Sequence, residues 1–274
     1  MSKASERISQ IRTEKVGDSN KRVLLVEGES DKDAISIFLT TKYPEWEQKW
    51  ILEAAGNKKQ VIDLLRSEND WVGLIDKDEW TASEIKEKTD VLNNLLVLPR
   101  FCLESYLVEP NELWSALPEK QRIKFQNGFA EFSDIIDGNK DNWLRHAALW
   151  HIVNPLWREL RSSGFGIKKT LLDPNNIPSN EDFKTKLSEW HITLTPNQKA
   201  LELDALINEF YGETNFTFYT QRLYAKDFYL LVIHPMFDRL LGQKKATDRK
   251  ISIFRHLPVP NDLDLLWQKM GLIA

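Results

Sequence analysis

Two apolar runs that each end in carboxylates constrain the fold of this chain more than any other feature. The first is VLLVEGESD, from Val23 to Asp31; the second is WVGLIDKDEW, from Trp71 to Trp80. Short unbroken apolar runs read as strands buried on both faces, and an α/β sheet presents the residues that follow such strands at its carboxyl edge. Glu27 follows the first run, with Asp31 one helical turn beyond it; Asp76 and Asp78 follow the second. Four carboxylates gathered at one edge repel each other unless a cation lies among them. The arrangement points to a divalent-metal site, and through it to phosphate chemistry.

The pattern around these runs predicts alternating strand and helix over residues 22–108. Strands are expected at Arg22–Glu27, Trp50–Ala54, Trp71–Ile75 and Val91–Leu98. Helices are expected at Ser30–Tyr43, with Ser30 as cap and apolar residues at Ala34, Ile35, Ile37, Phe38 and Leu39, and at Lys58–Asn69, with Val61, Ile62, Leu64 and Leu65 on its buried face. Ser83–Thr89 reads as an acidic, Lys-rich turn or helix. Strands separated by helices give a parallel sheet with right-handed crossovers. From Pro110 the periodicity becomes helical, over Pro110–Leu117, Glu119–Ile136, Trp143–Ser162, Asn197–Tyr211 and Lys226–Leu241. Thr217–Leu223 is expected as a short strand, and Gly164, Pro174, Pro178 and Pro196 punctuate the gaps. The expected organisation is an arm at 1–20, flexible or helical, an α/β domain at 21–109 and a mostly helical domain at 110–274.

Bulk properties narrow the class. With 42% hydrophobic and 28% charged residues, the composition is that of a globular protein. The single cysteine, Cys102, excludes an internal disulfide framework and a cysteine-rich zinc site, and fits a reducing cytoplasm. No apolar run approaches the roughly 18 residues that span a bilayer, and the polar start MSKASERISQIRTEK lacks a signal-peptide core. A cytoplasmic protein with no membrane partner is expected. The net charge of −4 counts against a duplex-coating protein but not against a nuclease, whose site is itself acidic. Local basic stretches occur at Gly166-Ile-Lys-Lys, Gly242-Gln-Lys-Lys and Asp248-Arg-Lys, either as solvated helix ends or as phosphate contacts. The tryptophans read mostly as core. His146 and His151 are wrongly spaced for a helical metal pair, and Cys102, between Phe101 and Leu103, reads as buried.

VEGESD followed by IDKDEW resembles the signature of Toprim, the topoisomerase–primase metal-binding fold: a Glu-Gly pair after the first strand and an Asp-x-Asp after a later one. Here these are Glu27-Gly28 and Asp76-Lys77-Asp78, and the resemblance covers residues 21–108. Gly28 is expected at a tight turn, where a side chain would block a phosphate. Within Toprim proteins the chain is similar to the OLD-family nucleases and to small effector nucleases encoded beside ABC-type ATPases in PARIS-like phage-defence operons. Asp31 of E-G-x-S-D and Glu104 of LPRFCLESYL carry that likeness, with Ser105 where the group has asparagine. Ala225-Lys226-Asp227 resembles the Gly-Lys-Asp that opens a C-terminal helix there, with alanine in place of the glycine.

The resemblance implies a Mg²⁺- or Mn²⁺-dependent nuclease, the toxic effector of an antiviral defence system. Glu27, Asp31, Asp76 and Asp78 would be ligands and Glu104 a ligand or an orienting group. Lys226 would offset charge on the reacting phosphate. In a two-metal mechanism the ions, about 3.5–4 Å apart, clamp the attacking water and the leaving oxygen. The implied substrate is RNA or DNA, transfer RNA included. No G-x-x-x-x-G-K-[S/T] occurs, so the ATPase would be a separate protein. A homodimer fits the same reading.

Alternatives stay open on the residues themselves. Asp31 could serve the helix dipole, Glu104 could pair with Arg100, and Lys226 could be a surface lysine. A phosphatase of the haloacid-dehalogenase type also uses Asp-x-Asp, but near its first strand and with Thr or Val after it. A different Toprim phosphotransfer enzyme, such as a primase or topoisomerase subunit, would need partner domains that do not fit. A non-catalytic Toprim-fold module docking on an ATPase is the non-enzyme alternative.

Overall fold

The computed structural model describes residues 3–171 and 177–273, so Pro174 lies outside the described residues, as do the side chains of Lys168 and Lys169. Four parallel strands form one sheet in the order β2-β1-β3-β4: β1 is Arg22–Val26, β2 Trp50–Ala54, β3 Val72–Ile75 and β4 Leu95–Val97. Three helices connect them, α2 (Glu29–Lys42), α3 (Lys58–Leu65) and α4 (Ala82–Val91); α1 (Lys3–Ile11) precedes them. Leaving β1 for β2 on one side and then passing back to β3 on the other makes β1/β3 the switch point, where the connections diverge and leave a crevice at the carboxyl edge.

Alternate residues of β1 face opposite layers. Val23 and Leu25 join Ile11, Val61, Leu64, Leu65 and Ile75 in one core. Gly73 on β3 is what lets α3 approach that face: a Cβ there would lie 2.5 Å from Leu65 and 2.7 Å from Val61. The opposite layer is α2 together with the helix Ala246–Phe254, with Phe38 edge-on to Phe254 (5.6 Å) and to Tyr106 (6.1 Å).

Of the two readings of 1–20, flexible or helical, the helical one holds over Lys3–Ile11 and Arg12–Val16, where Ile11 is buried and Arg7 to Glu53 (2.8 Å) and Arg12 to Glu68 (2.5 Å) tie the segment down. Other expectations are corrected. The fourth strand is shorter than Val91–Leu98, because the Thr81/Glu84 capping box starts a helix that runs through Val91, itself 77% exposed. Helix α2 begins at Glu29, capped by Asp31 and not by Ser30. The expected helix Glu119–Ile136 is two, Glu119–Arg122 and Phe129–Asp137, parted at Gly128, whose φ is +61°. Thr217–Leu223 is not a strand: Asn215–Thr217 is helical and Phe218–Arg222 is a π-helical turn. Its buried residues are Phe218, Tyr219, Thr220 and Leu223, three of them consecutive where a half-buried strand would alternate, and the Thr220 carbonyl accepts from Phe101 N–H at 2.8 Å. Among the tryptophans, Trp46, Trp50, Trp71 and Trp267 are buried, whereas Trp157 is half exposed.

The chain divides into two compact units, Met1–Gly138 with Tyr219–Ala274, and Asn139–Phe218, which replaces the expected boundary near 110. Residues 110–138 and 219–273 belong with the sheet because their contacts are made there. One such tie is Arg100, which joins Glu112 to Asp262. The second unit is helical, built on Lys140–Ser162, Asn180–Leu194 and Pro196–Gly212. Thr195, in the left-handed region at φ +32°, breaks the last two apart just before Pro196. Its helix Asn180–Leu194 fully buries none of its residues, and Phe183, Leu187 and Ile192 are 46%, 44% and 71% exposed. Among the described residues, no helix is long and apolar enough to cross a membrane.

Candidate metal centre

Glu27 and Asp76 are the first residues past β1 and β3, so the sheet itself puts them on either side of the switch point. The Asp76 backbone N–H donates to Glu27 Oε1 at 2.8 Å, locking the two strand ends together. Asp76 is 5% exposed. Its Oδ1 accepts from the Leu103 N–H (3.1 Å) and its Oδ2 from the Lys226 ammonium (3.0 Å). Asp78 turns back through a left-handed backbone, φ +49°, a conformation aspartate tolerates better than most residues; its N–H donates to Phe101 O at 2.7 Å. Its carboxylate is paired with Lys58 at 2.6 Å.

Asp31 lies in the first turn of α2. It accepts from the Gly28 N–H at 2.9 Å, which makes it the helix cap and leaves its other oxygen available. Gly28 itself is extended, φ −132°, and a Cβ there would meet nothing closer than 3.7 Å. The backbone of the turn therefore does not itself demand glycine, and the position is open in front, where the expected role of Gly28 was to leave room for a phosphate. Glu104, on the short 3₁₀ turn Leu103–Leu107, is 6% exposed. Its partner is Lys250 at 2.8 Å rather than Arg100, which is committed to Glu112 and Asp262, and its Oε2 is buried with no hydrogen-bond partner. Lys226 lies in a single α turn, Ala225–Phe228, between the π-helical turns Phe218–Arg222 and Tyr229–Ile233. The structure thus brings all six sequence-selected residues to one side of the sheet unit.

Two participants were not foreseen. Lys58 opens α3 at the end of β2, and the same strand-end logic that selects Glu27 could have selected it; it also lies over Trp80, 4.7 Å from the ring centroid. Lys250 had been counted only within a basic stretch. Nothing local to that stretch marks Glu104 as its partner, and its neighbour Arg249 is buried against Asp238 (2.6 Å) rather than presented to solvent.

The electrostatics are those of crowded acids short of positive charge. Burial, then Lys226 acting the other way and the repulsion of Asp31 and Asp78, leave Asp76 pushed up to about 7. Burial above all raises Asp31 to about 6, against the Gly28 hydrogen bond. Glu27 is raised by burial and by Asp76. Burial also works against Glu104, but Lys250 and Lys226 outweigh it and hold that carboxyl below its usual range. Lys226 is held protonated: burial opposes its charge, and Asp76 and Glu104 more than restore it.

A divalent cation suits the donor chemistry here: the available groups are all hard oxygens, they repel one another, and one buried oxygen of Glu104 is unsatisfied. Lys58 and Lys226 currently supply the balancing charge, and among the described residues no three Asp, Glu, His or Cys side chains are grouped as a metal ion would require. The residues fit by chemistry; as arranged, they are held apart by ammonium groups.

The raised carboxyls predict how stability follows pH in chelator. A group whose folded pKa exceeds its unfolded value stabilises fully at low pH and loses that contribution as pH rises through the folded pKa. For Asp31 and Asp76 that window runs from about pH 4 to just above 7. Lys226 stays charged throughout the window, and the lowered Glu104 has completed its titration near the bottom of it. With chelator present, the unfolding free energy should be higher at pH 5.5 than at pH 8 by at least the ~1.4 kcal/mol of one pKa unit, and the thermal midpoint should be higher with it. A midpoint that rises over that interval would contradict these assignments. No family model matches the sequence, and a search of curated proteins gave no match.

Proposed function

We propose that this protein is a metal-dependent phosphodiesterase, a nuclease of the Toprim type resembling the OLD family and the small defence-operon effectors. The observation that carries this reading is the meeting of Glu27, Asp76 and Lys226, from opposite ends of the sequence, across the switch-point crevice. The substrate is RNA or DNA, and a separate ABC-type ATPase is the proposed activator.

Glu27, Asp76 and Asp78 would hold Mg²⁺ or Mn²⁺, with Asp31 and Glu104 closing the set. A divalent cation bound there supplies Lewis acidity toward the scissile phosphate and the attacking water. The residues do the remainder. Lys226, ionised and 38% exposed at its side chain, can reach toward a phosphate and offset the charge that builds on it. Releasing Lys58 from Asp78 and Lys226 from Asp76 frees two carboxylates for the cation.

Lys226→Ala should therefore lower kcat by about 10²–10³-fold, the usual cost of removing a charge-stabilising donor. It should leave Mn²⁺ affinity equal or tighter, because the competing ammonium is gone; weakened Mn²⁺ binding would contradict its placement beside the transferring phosphate. The reading as a whole is tested by Mg²⁺- and Mn²⁺-dependent cleavage of RNA and DNA, with Glu27→Ala as control and with a candidate ABC-type ATPase activator added if the protein is silent alone. Absence of metal binding at Glu27, Asp76 and Asp78 would sink it.

The second reading, a non-catalytic module docking on an ATPase, is favoured by two observations. Asp76, Asp78 and Glu104 are already paired with lysines and no metal grouping occurs among the described residues, and the helix Asn180–Leu194 leaves Phe183, Leu187 and Ile192 exposed. Tight ATPase binding that survives Glu27→Ala, with no metal uptake, is its distinguishing result.

A further inference from the structure

A cavity of about 780 Å³ opens beside the carboxylate cluster, between α1 and α3 at the end of β2. Its size falls in the roughly 300–1,000 Å³ range of small-molecule sites. The inner walls are apolar and small: Ala4, Ala54, Ala55 and Leu64. The floor is rigid, since Ala55 N–H donates to Val26 O at 2.9 Å and Gly56 N–H to Glu27 O at 2.7 Å. Those bonds attach the cavity directly to the metal centre. Gly28, which lines the cavity, follows Glu27 in the chain, and Lys59, which also lines it, follows the Lys58 that pairs with Asp78.

Its charged groups are mostly spoken for: Arg7 is committed to Glu53, Asp63 to Arg66 (3.1 Å) and Glu29 to Lys32 (4.0 Å), whereas Lys59 has no ion-pair partner among the described residues. Gln60 lies over Gly56, its Oε1 2.1 Å from where a Cβ of residue 56 would be, and the φ of +113° at Gly56 is a backbone conformation that favours glycine. The Gln60 carboxamide has no hydrogen-bond partner among the described residues, so both a donor and an acceptor face the cavity unspent. An apolar slot with an adaptable amide and a free ammonium at its margin matches the three parts of a nucleotide: a flat base, its hydrogen-bonding edge and its phosphate.

We propose that this cavity binds the nucleotide adjoining the scissile phosphate of a single-stranded nucleic acid, with the base between α1 and α3, its edge on Gln60 and its phosphate on Lys59. This assignment deepens the nuclease reading and rests on it for the identity of the strand. The acidic cluster alone repels a polyanion and the net charge is −4, so Lys59, the cation of the cavity lining without an ion-pair partner among the described residues, is the group left to hold the phosphate.

The test is equilibrium binding, read by fluorescence anisotropy, of labelled single-stranded RNA and DNA hexanucleotides in Ca²⁺, with free nucleoside monophosphates as competitors. Wild-type protein should bind a hexanucleotide. Gln60→Trp, which fills the slot from an exposed helix position, and Lys59→Glu should each weaken binding roughly tenfold or more, the scale of one lost base stack. Both variants should keep wild-type Mn²⁺ binding and thermal midpoint. Unchanged affinity in the two variants, or no hexanucleotide binding by wild type, overturns the proposal. Monophosphates that bind as tightly as the hexamer, with the same sensitivity to Gln60→Trp, would make this a free-nucleotide site and overturn the strand assignment. The two readings fail separately. Hexamer binding sensitive to Gln60 in a protein that never cleaves would sink the nuclease, whereas cleavage with an unaltered KM in Gln60→Trp would sink the cavity alone.

Discussion

Glu27→Gln is expected to abolish Mg²⁺- or Mn²⁺-dependent cleavage and, in the presence of chelator, to leave the protein more stable rather than less. Burial and the neighbouring Asp76 raise the Glu27 carboxyl, so its charge opposes folding near neutral pH. Glutamine keeps the shape and the Oε1 acceptor for the Asp76 N–H while removing that charge. The activity loss should exceed the ~10–100-fold typical of losing an outer-shell partner, because the residue itself would bind the cation. The stability gain should lie near the ~0.5–2 kcal/mol typical when a strained functional position is relieved. Thermal unfolding in EDTA at pH 8, beside a cleavage assay, checks both. A variant that loses stability and keeps activity would show Glu27 to be a structural group that merely ties β1 to β3.

The second large effect falls on stability. Arg100, 4% exposed, makes a bidentate pair with Glu112 (2.5 and 2.7 Å), holds Asp262 at 2.8 Å and lies over Tyr106 at 3.9 Å. Tyr106 adds a 2.9 Å bond to Asp262. The stretch from Arg100 to Glu112 is joined there to Asp262, 162 residues on from Arg100, beneath the turn that carries Glu104. Arg100→Ala should cost about 3–5 kcal/mol, since it leaves two partly buried carboxylates without their cation. At roughly 2–4 °C per kcal/mol for a unit of this size, the thermal midpoint should fall by ~10 °C or more. Arg100→Lys should recover only part of the loss, because an ammonium cannot reproduce the planar fork. A fall below about 1 kcal/mol would mean the pairs contribute no more than surface ion pairs do.

The sheet and most of the carboxylate cluster were legible in the sequence because their signals are local. An apolar run of strand length specifies a buried strand, and the residue after a parallel strand must emerge at the carboxyl edge, so Glu27, Asp76 and Asp78 could be selected without knowing what lies across from them. Helix α2 was legible from its inward residues, although its cap was not: Asp31 competes with Ser30 for that role, and geometry decides between them. The strand expected at Thr217–Leu223 failed because its aromatic residues suit either period, and burial by distant segments selected the helical one.

What only the tertiary structure decided is pairing. Lys226 meets Asp76, Lys250 meets Glu104 and Arg100 meets Glu112 and Asp262 rather than Glu104. Two of these contacts bridge chain separations of 150 and 146 residues. The cavity beside Gly56 likewise exists only because α1 folds back against α3, which no pattern in residues 1–20 announces. The physical reason is the same in each case. Hydrophobic periodicity is written into neighbouring residues, whereas the partner of a buried charge is whichever opposite charge the packed core carries to it, and burial makes that pairing obligatory.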